Sequence, residues 1–161
     1  MPTTSLYTST ELNSGNMNEH TQNSVLIVDD APSARAVLKD MLAELGFGTI
    51  LEAADGREAS AIVTRENIDI VLCDQVMPDM SGKDLLVHIR QKLGKETLPV
   101  IFVSALSAVH EVEAVLELEA TDYLVKPVSF RKLRRKIEEA LHLATERIEL
   151  CPDHIGPLVN L

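Results

Sequence analysis

Residues 70–82 read IVLCDQVMPDMSG, an apolar run that ends in one carboxylate and continues into a loop. The first four residues show no polar alternation, which is typical of a strand covered on both faces of a sheet. Pro78 and Gly82 favour a turn after this strand. The stretch therefore predicts that Asp74 lies at the carboxyl end of a buried strand, where it either forms a turn or takes part in chemistry.

A similar stretch lies near the start of the chain. Residues 25–28 read VLIV and are followed directly by Asp29 and Asp30. Pro32 then stands in the first turn of a predicted helix, where its missing N–H costs nothing, and Gly46 favours the end of that helix. Helical spacing predicts that the inward face of this helix consists of Ala34, Val37, Leu38, Met41, Leu42 and Leu45.

The rest of the chain continues to alternate short apolar runs with amphipathic segments. Further strands are predicted at 49–51, 69–73, 98–103 and 122–125, and further helices at 57–66, 82–93, 108–118 and 130–149. Five strands alternating with five helices predict an α/β fold with a parallel sheet and helices on both faces. Right-handed crossovers favour a doubly wound order, in which ligands bind beyond the carboxyl ends of the strands.

Polar side chains follow four of the predicted strands. Asp29 and Asp30 follow the first, Asp74 the third, Ser104 the fourth and Lys126 the fifth. Because the carboxyl ends of parallel strands meet at one edge of a sheet, we expect these groups to lie together there. Each also has an ordinary alternative role, as a turn former, a helix cap or a surface lysine.

Three carboxylates at one edge repel each other unless a cation joins them. Mg²⁺ suits a site of oxygen ligands that also receives phosphate oxygens, with Mn²⁺ as the alternative ion. Three carboxylates, Mg²⁺ and Lys126 have no net formal charge, so the pocket can accept an anionic phosphoryl group. Phosphoryl transfer needs mainly positioning and charge neutralisation. Asp74, which stands apart from the acidic pair, is therefore the predicted nucleophile.

As a set, these motifs resemble the response-regulator receiver domain of two-component signalling, a chemotaxis-regulator-like and flavodoxin-like fold. The resemblance covers roughly residues 24–147 and implies a (βα)5 three-layer sandwich, with a five-stranded parallel sheet in the order 2-1-3-4-5. The motifs that carry it are Asp29-Asp30, the Asp74 loop with Met77, Pro78 and Gly82, Ser104-Ala105, and Asp122-Tyr123-Leu124 followed by Lys126-Pro127.

The resemblance implies that Asp74 accepts a phosphoryl group in a Mg²⁺-dependent phosphorelay reaction. The donor would be a phosphohistidine on a histidine kinase or a histidine phosphotransfer protein. Asp30, Asp74 and the backbone carbonyl of Val76 would ligate the metal, while Asp29 would hold its water shell. We therefore expect a signalling receiver that catalyses only its own phosphorylation and slow dephosphorylation.

The resemblance also implies roles for residues in the fifth strand and directly after the fourth and fifth strands. Ser104 would bond one phosphoryl oxygen and Lys126 would pair with another, and the Lys126–Pro127 peptide is expected to be cis. Tyr123 is the expected aromatic switch. Its alternative role is ordinary core packing with the hydroxyl at the surface.

Two positions differ from what many receivers carry. Val76, two residues after Asp74, and Leu106, two after Ser104, are both apolar and cannot align a hydrolytic water. This difference predicts that the acyl phosphate is screened from water and lost slowly. Val76 also disfavours a haloacid-dehalogenase-type phosphatase, which places a second Asp at this position. Glu119 stands where receivers often have Gly, which leaves the local turn geometry open.

Composition limits the organisation of the chain. At 161 residues and 45% hydrophobic residues, one ordinary domain is expected. We predict a flexible leader at 1–23, a receiver domain at 24–149, and a C-terminal tail or linker at 150–161. A formal net charge of −10 disfavours contact with nucleic acid and anionic membranes. The leader has no apolar signal region, and a cytoplasmic location is expected.

The cysteines and histidines form no recognisable ligand pattern. Cys73 lies in an apolar run and is interpreted as core packing, and Cys151 lies near the end of the chain. Reduced thiols are expected. The histidines, which we interpret as surface or helix residues, are His20, His88, His110, His142 and His154.

Two charged stripes suggest an output surface. The fourth predicted helix and its exit are acidic, and the start of the last helix is basic. They are either ordinary solvated faces or cross between the subunits of a dimer through the fourth helix, fifth strand and fifth helix. A single-domain regulator, a receiver fragment of a multidomain regulator and a phosphorylation-independent interaction module all remain open. The stripe residues are Glu111, Glu113, Glu117, Glu119 and Asp122, and Arg131, Lys132, Arg134, Arg135 and Lys136.

Overall fold

The computed structural model describes residues 20–150, with side chains as far as residue 147. Five parallel strands form one sheet in the order β2-β1-β3-β4-β5, which confirms the order implied by the resemblance. The strands are β1 Ser24–Val28, β2 Thr49–Ala53, β3 Ile70–Cys73, β4 Val100–Ser104 and β5 Asp122–Val125. The helices are α1 Pro32–Glu44, α2 Gly56–Arg65, α3 Gly82–Val87, α4 Val109–Glu117 and α5 Phe130–Leu150, with a π-helical segment, His88–Lys92, directly after α3.

The inner strands are buried on both faces, as their continuous apolar sequence predicts. In β1, Leu26 and Val28 face one hydrophobic core, while Val25 and Ile27 face the other. The first core is covered by α2, α3 and α4, and the second by α1 and α5. Burying each such side chain stabilises the fold by about 1.5–3 kcal/mol. The pairing register of the strands sets their relative positions, and so the positions of the residues that follow them.

Helix α1 has a narrower buried face than its sequence predicts. Leu38 and Leu42 are buried, but Val37 is 54% exposed, so its assignment to the inward face is wrong. Successive residues of a helix are separated by about 100°. Val37 therefore lies beside the buried stripe that Leu38 and Leu42 define.

The predicted single helix at 82–93 is interrupted. Beyond Val87 the hydrogen bonding changes to the π type, and Leu93 N donates to His88 O. Arg90 in this segment is buried and donates hydrogen bonds to the carbonyls of Lys95 and Glu119. Glu119 has a φ of 67°, the left-handed conformation that Gly usually provides. The Arg90 guanidinium thus stabilises the turn at Glu119, whose geometry could not be predicted from the sequence.

His20 is not a surface residue. It is 9% exposed, and its ring stacks on Phe47 with the centroids 4.9 Å apart. The interpretation of His20 as a surface or helix residue is therefore wrong, because an apolar partner from beyond α1 covers it. His154, Cys151 and nearly all of the predicted leader and tail lie outside the described residues.

Candidate functional site

Strand pairing brings the acidic residues to one level of the sheet. β1 and β3 are neighbours, and Val28 pairs with Cys73 at the ends of the two strands. Asp29 and Asp74 are the next residues of the two strands, and Asp74 N donates to Val28 O at 2.8 Å. The carboxyl ends of these strands therefore deliver both carboxylates to the same point.

Three carboxylates converge at this edge. Oxygens of Asp29, Asp30 and Asp74 all lie within 4.8 Å of one another. Asp29 is buried, Asp74 is partly buried and Asp30 is exposed, so the cluster is open to solvent on one side. Asp29 Oδ1 also accepts a hydrogen bond from Ala31 N at 2.9 Å, which fixes its orientation.

Lys126 brings a positive charge to the carboxylates. Its Nζ lies 2.6 Å from Asp29 Oδ2 and 3.4 Å from Asp74 Oδ2. Burial opposes the charge on the ammonium, but the hydrogen bond to Asp29 and the charge of Asp74 outweigh it and raise the pKa of Lys126. Lys126 N donates to Ser104 O, and the Lys126–Pro127 peptide is cis, as predicted.

Ser104 and Tyr123 lie on β4 and β5, the two strands beyond β3 in the sheet. Ser104 is 1% exposed, and its Oγ accepts a hydrogen bond from Leu106 N at 3.3 Å. The Tyr123 ring is buried against Phe102, and its hydroxyl lies 2.8 Å from Leu106 O. The ring therefore packs in the core, as the alternative role expects, and the switch role of Tyr123 stays a prediction.

Two residues near the site were not found from the sequence. Gln75 is 3% exposed, and its amide oxygen lies 2.9 Å from Tyr123 Oη. Arg35 of α1 donates from Nη1 to Asp29 O at 2.7 Å. The only local signal for Gln75 was a polar side chain immediately after a buried strand. Arg35 gave no signal, since helical spacing does not reveal a contact with the preceding loop.

The β3–α3 loop is shaped by close backbone packing at Gly82. Its N–H donates to Gln75 O at 3.0 Å. A Cβ at Gly82 would collide with Asp74 O and with the Phe102 ring. Val76 in this loop is 60% exposed, so its side chain does not cover the neighbouring carboxylate. Slow loss of phosphate would therefore rest on the lack of a polar group at Val76 rather than on shielding by it.

Cys73 contributes no chemistry to the site. Its thiol is buried, and burial together with the charges of Asp74 and Asp29 raises its pKa far above the ordinary value. The neutral thiol lies 3.2 Å from Asp74 O, to which it donates. This agrees with the predicted role in core packing.

The donor set fits a hard divalent cation. The three clustered side chains offer only carboxylate oxygens, and Asp30 and Asp74 lie toward the open side. Mg²⁺ prefers oxygen ligands and keeps several of its waters, so it requires few protein ligands. A cation held by these carboxylates and the Lys126 ammonium would together supply the positive charge that a phosphoryl group requires, and the buried hydroxyl of Ser104 would supply a hydrogen-bond donor.

Residues 25–138 match the family model of the response regulator receiver domain. The chain belongs to this family. The receiver is 33% identical over 118 residues to a chemotaxis protein CheY homolog of Campylobacter jejuni, a match that covers 73% of this chain and 91% of the relative.

Solved structures resemble this receiver over the same region. The chemotaxis response regulator CheY4 of Vibrio cholerae is 27% identical with a TM-score of 0.68, and the match covers 73% of this chain and 98% of that one. The regulator TrrA of Thermotoga maritima, solved in complex with Mg(2+)-BeF, is 33% identical with a TM-score of 0.66 and the same coverage. Receivers of this kind are signalling modules.

Some relatives are longer than this chain. A probable transcriptional regulator, ycf27, of Porphyridium aerugineum is 38% identical over 118 residues, which are 73% of this chain but 47% of the relative. A probable cyclic di-GMP phosphodiesterase of Vibrio cholerae is matched over only 29% of its length. The receiver fold thus occurs in relatives that also contain other segments.

Proposed function

We propose that this receiver accepts a phosphoryl group on Asp74 from the phosphohistidine of a histidine kinase or histidine phosphotransfer protein. The observation that carries the proposal is the contact of Lys126 Nζ with both Asp29 and Asp74, beside three converging carboxylates. In the transfer, a carboxylate oxygen of Asp74 attacks phosphorus as the bond from phosphorus to the imidazole nitrogen breaks, and the imidazole leaves.

Each residue of the site has a separate task in this reaction. Lys126 neutralises the charge of the incoming phosphoryl oxygens, and Ser104 Oγ donates a hydrogen bond to another oxygen. Asp30, Asp74 and the carbonyl of Val76 would hold Mg²⁺ or Mn²⁺, with Asp29 binding its waters. When bound, the metal supplies the positive charge that lets phosphate approach three carboxylates.

The decisive experiment is incubation with acetyl phosphate and Mg²⁺, followed by intact mass measurement. The wild type should gain the mass of one phosphoryl group, and Asp74→Asn should gain none. Asp79→Asn is the matched control, because Asp79 is an exposed acid in the same loop and its φ of 66° suits Asn. An unmodified wild type, or an adduct on Asp74→Asn, would contradict the proposal.

Phosphorylation would be read at the surface formed by α4, β5 and α5. A homodimer through this surface would pair its acidic and basic stripes. However, Lys136 Nζ already lies 2.6 Å from Asp122 Oδ2 in the same chain, and Arg134 pairs with Glu138 at 2.7 Å. Sedimentation with and without beryllofluoride tests the dimer, and an unchanged mass at full site occupancy would contradict it.

The longer relatives support a second form of the proposal, in which this sequence is a receiver from a larger multidomain regulator. In either form the module acts in signalling and turns over only its own phosphate. A phosphorylation-independent interaction module is the third alternative, and the intact acidic cluster disfavours it.

Within residues 20–150, no helix is long and apolar enough to cross a membrane. We place the receiver in the cytoplasm, without direct binding to nucleic acid or membrane.

A further inference from the structure

Gln75 follows the proposed phosphoacceptor in the chain, yet its side chain turns into the protein. Its amide nitrogen donates to Glu111 Oε2 at 2.8 Å, and its amide oxygen lies 2.9 Å from Tyr123 Oη. The nitrogen must face the carboxylate, because an amide oxygen there would repel it. Burying an amide is unfavourable unless its polar atoms are bonded. Both ends of this amide therefore depend on partners far away in the sequence.

Glu111 connects this amide to two helices. It lies in α4, and its Oε2 also lies 3.1 Å from Lys83 Nζ of α3. A carboxylate is a stronger hydrogen-bond acceptor than a neutral group. The contact with Gln75 thus joins the loop after Asp74 to α4 at a partly buried position.

Tyr123 connects the same amide to the site. Its single hydroxyl proton faces two acceptors, the amide oxygen of Gln75 and the carbonyl of Leu106. Leu106 N in turn donates to Ser104 Oγ at 3.3 Å. A series of polar contacts therefore runs from Ser104 through the backbone of Leu106 to Tyr123, Gln75 and Glu111, and in it Leu106 O and the Gln75 amide oxygen share the one hydroxyl proton of Tyr123.

We propose that Gln75 is a positioning residue that holds the Tyr123 ring inward and couples its position to α4 through Glu111. The inference rests on the proposed phosphorylation. A phosphoryl group on Asp74 that accepts a hydrogen bond from Ser104 Oγ would move the turn that carries the Leu106 carbonyl, which is one of the two acceptors of the Tyr123 hydroxyl. Because linkage is reciprocal, weakening the Gln75 contacts also lowers the affinity of the site for a phosphoryl analogue.

The test observes the ring directly, in the full chain with Asp74 unmodified. Tyr7 and Tyr123 are the two tyrosines of the sequence, so a Tyr7→Phe background labelled with 3-fluorotyrosine gives one reporter in fluorine NMR. Gln75→Met keeps the length of the side chain but removes both polar contacts. Glu111→Ala removes the far partner. Glu113→Ala is the matched control, because Glu113 is an exposed acid two residues further along α4.

We expect one resonance in the background protein and in Glu113→Ala, and a shifted or second resonance in Gln75→Met and Glu111→Ala. If about one third of the variant molecules keep the Tyr123 ring inward, their apparent affinity for beryllofluoride with Mg²⁺ falls about threefold relative to the background protein. Unchanged resonances in folded variants would overturn the inference, as would an unchanged affinity despite a moved ring.

If Gln75→Met fails to fold, Glu111→Ala decides the question alone, because Glu111 is partly exposed. The resonance is recorded without metal or phosphoryl analogue, and so does not depend on phosphorylation. A moved ring with no phosphoryl uptake from acetyl phosphate would refute the proposed function but not the role of Gln75. Normal uptake with an unmoved ring would refute only the role of Gln75.

Discussion

Asp74 and Gln75 are adjacent in the chain, but they belong to two polar clusters of different kinds. The acidic cluster comprises Asp29, Asp30, Asp74 and Lys126, in which three carboxylates face one ammonium. The amide cluster comprises Gln75, Tyr123 and Glu111, in which the Gln75 amide accepts from Tyr123 and donates to Glu111. An excess of like charge at an open edge favours binding of a cation, whereas a satisfied buried network favours one internal arrangement.

The largest effect is expected from loss of the Lys126 ammonium, which should impair the acidic cluster and leave the amide cluster unchanged. Replacing it in Lys126→Met removes the ammonium that contacts Asp29 and Asp74, and with it the charge that offsets the incoming phosphoryl group. We expect phosphoryl uptake from acetyl phosphate to slow by about a hundredfold, measured as a time course of intact mass.

The matched control is Lys132→Met, since Lys132 is an exposed lysine of α5, and uptake by this variant should equal that of the wild type. The fluorine resonance of Tyr123 should stay unchanged in Lys126→Met, because among residues 20–150 the ammonium is hydrogen-bonded to Asp29 and Asp74 of the acidic cluster. If Lys126→Met took up phosphate within threefold of the wild-type rate, or if its Tyr123 ring moved, the two clusters would not be distinct.

A smaller effect is expected at Gly82, whose backbone lies against Asp74 of the acidic cluster and Gln75 of the amide cluster. Gly82 N donates to Gln75 O. An added methyl group at Gly82 would collide with Asp74 O and the Phe102 ring, so it must displace one or both of these. Gly82→Ala should lower the free energy of unfolding by about 2 kcal/mol, measured by urea denaturation.

Gly94→Asn is the control variant for Gly82→Ala. Nothing lies within 4 Å of a Cβ at Gly94, and Asn accepts its φ of 63°. Its stability should therefore change much less than that of Gly82→Ala. Equal losses in the two variants would mean that the close packing at Gly82 does not matter.

The smallest expected effect concerns the open side of the acidic cluster. Val76→Asn places a polar amide where it can orient water for attack on the acyl phosphate, so phosphate should be lost about tenfold faster. The measurement is the decay of the phosphorylated mass after acetyl phosphate is removed. Val109→Asn, which alters another exposed valine, should decay at the wild-type rate. A wild-type half-life of seconds, or equal decay in Val76→Asn, would contradict the predicted slow loss.

Local sequence patterns predicted the acidic cluster well. A buried strand requires a continuous apolar run, so the first polar residue after the run marks the strand's end. Asp29 and Asp74 were placed in this way, and the parallel sheet then required their carboxylates to meet. The same patterns misplaced Val37 and His20, because burial at those positions depends on which neighbour covers the side chain.

The sequence by itself determined the alternation of strands and helices and the edge of the sheet at which Asp29, Asp30, Asp74 and Lys126 meet. These features follow from short periodic patterns and from the chemistry of side chains at strand ends. Only the tertiary structure decided the amide cluster, since Gln75 lies 36 residues from Glu111 and 48 from Tyr123. Hydrogen bonds over such separations need particular distances and angles, and these arise only once the sheet and helices have packed together.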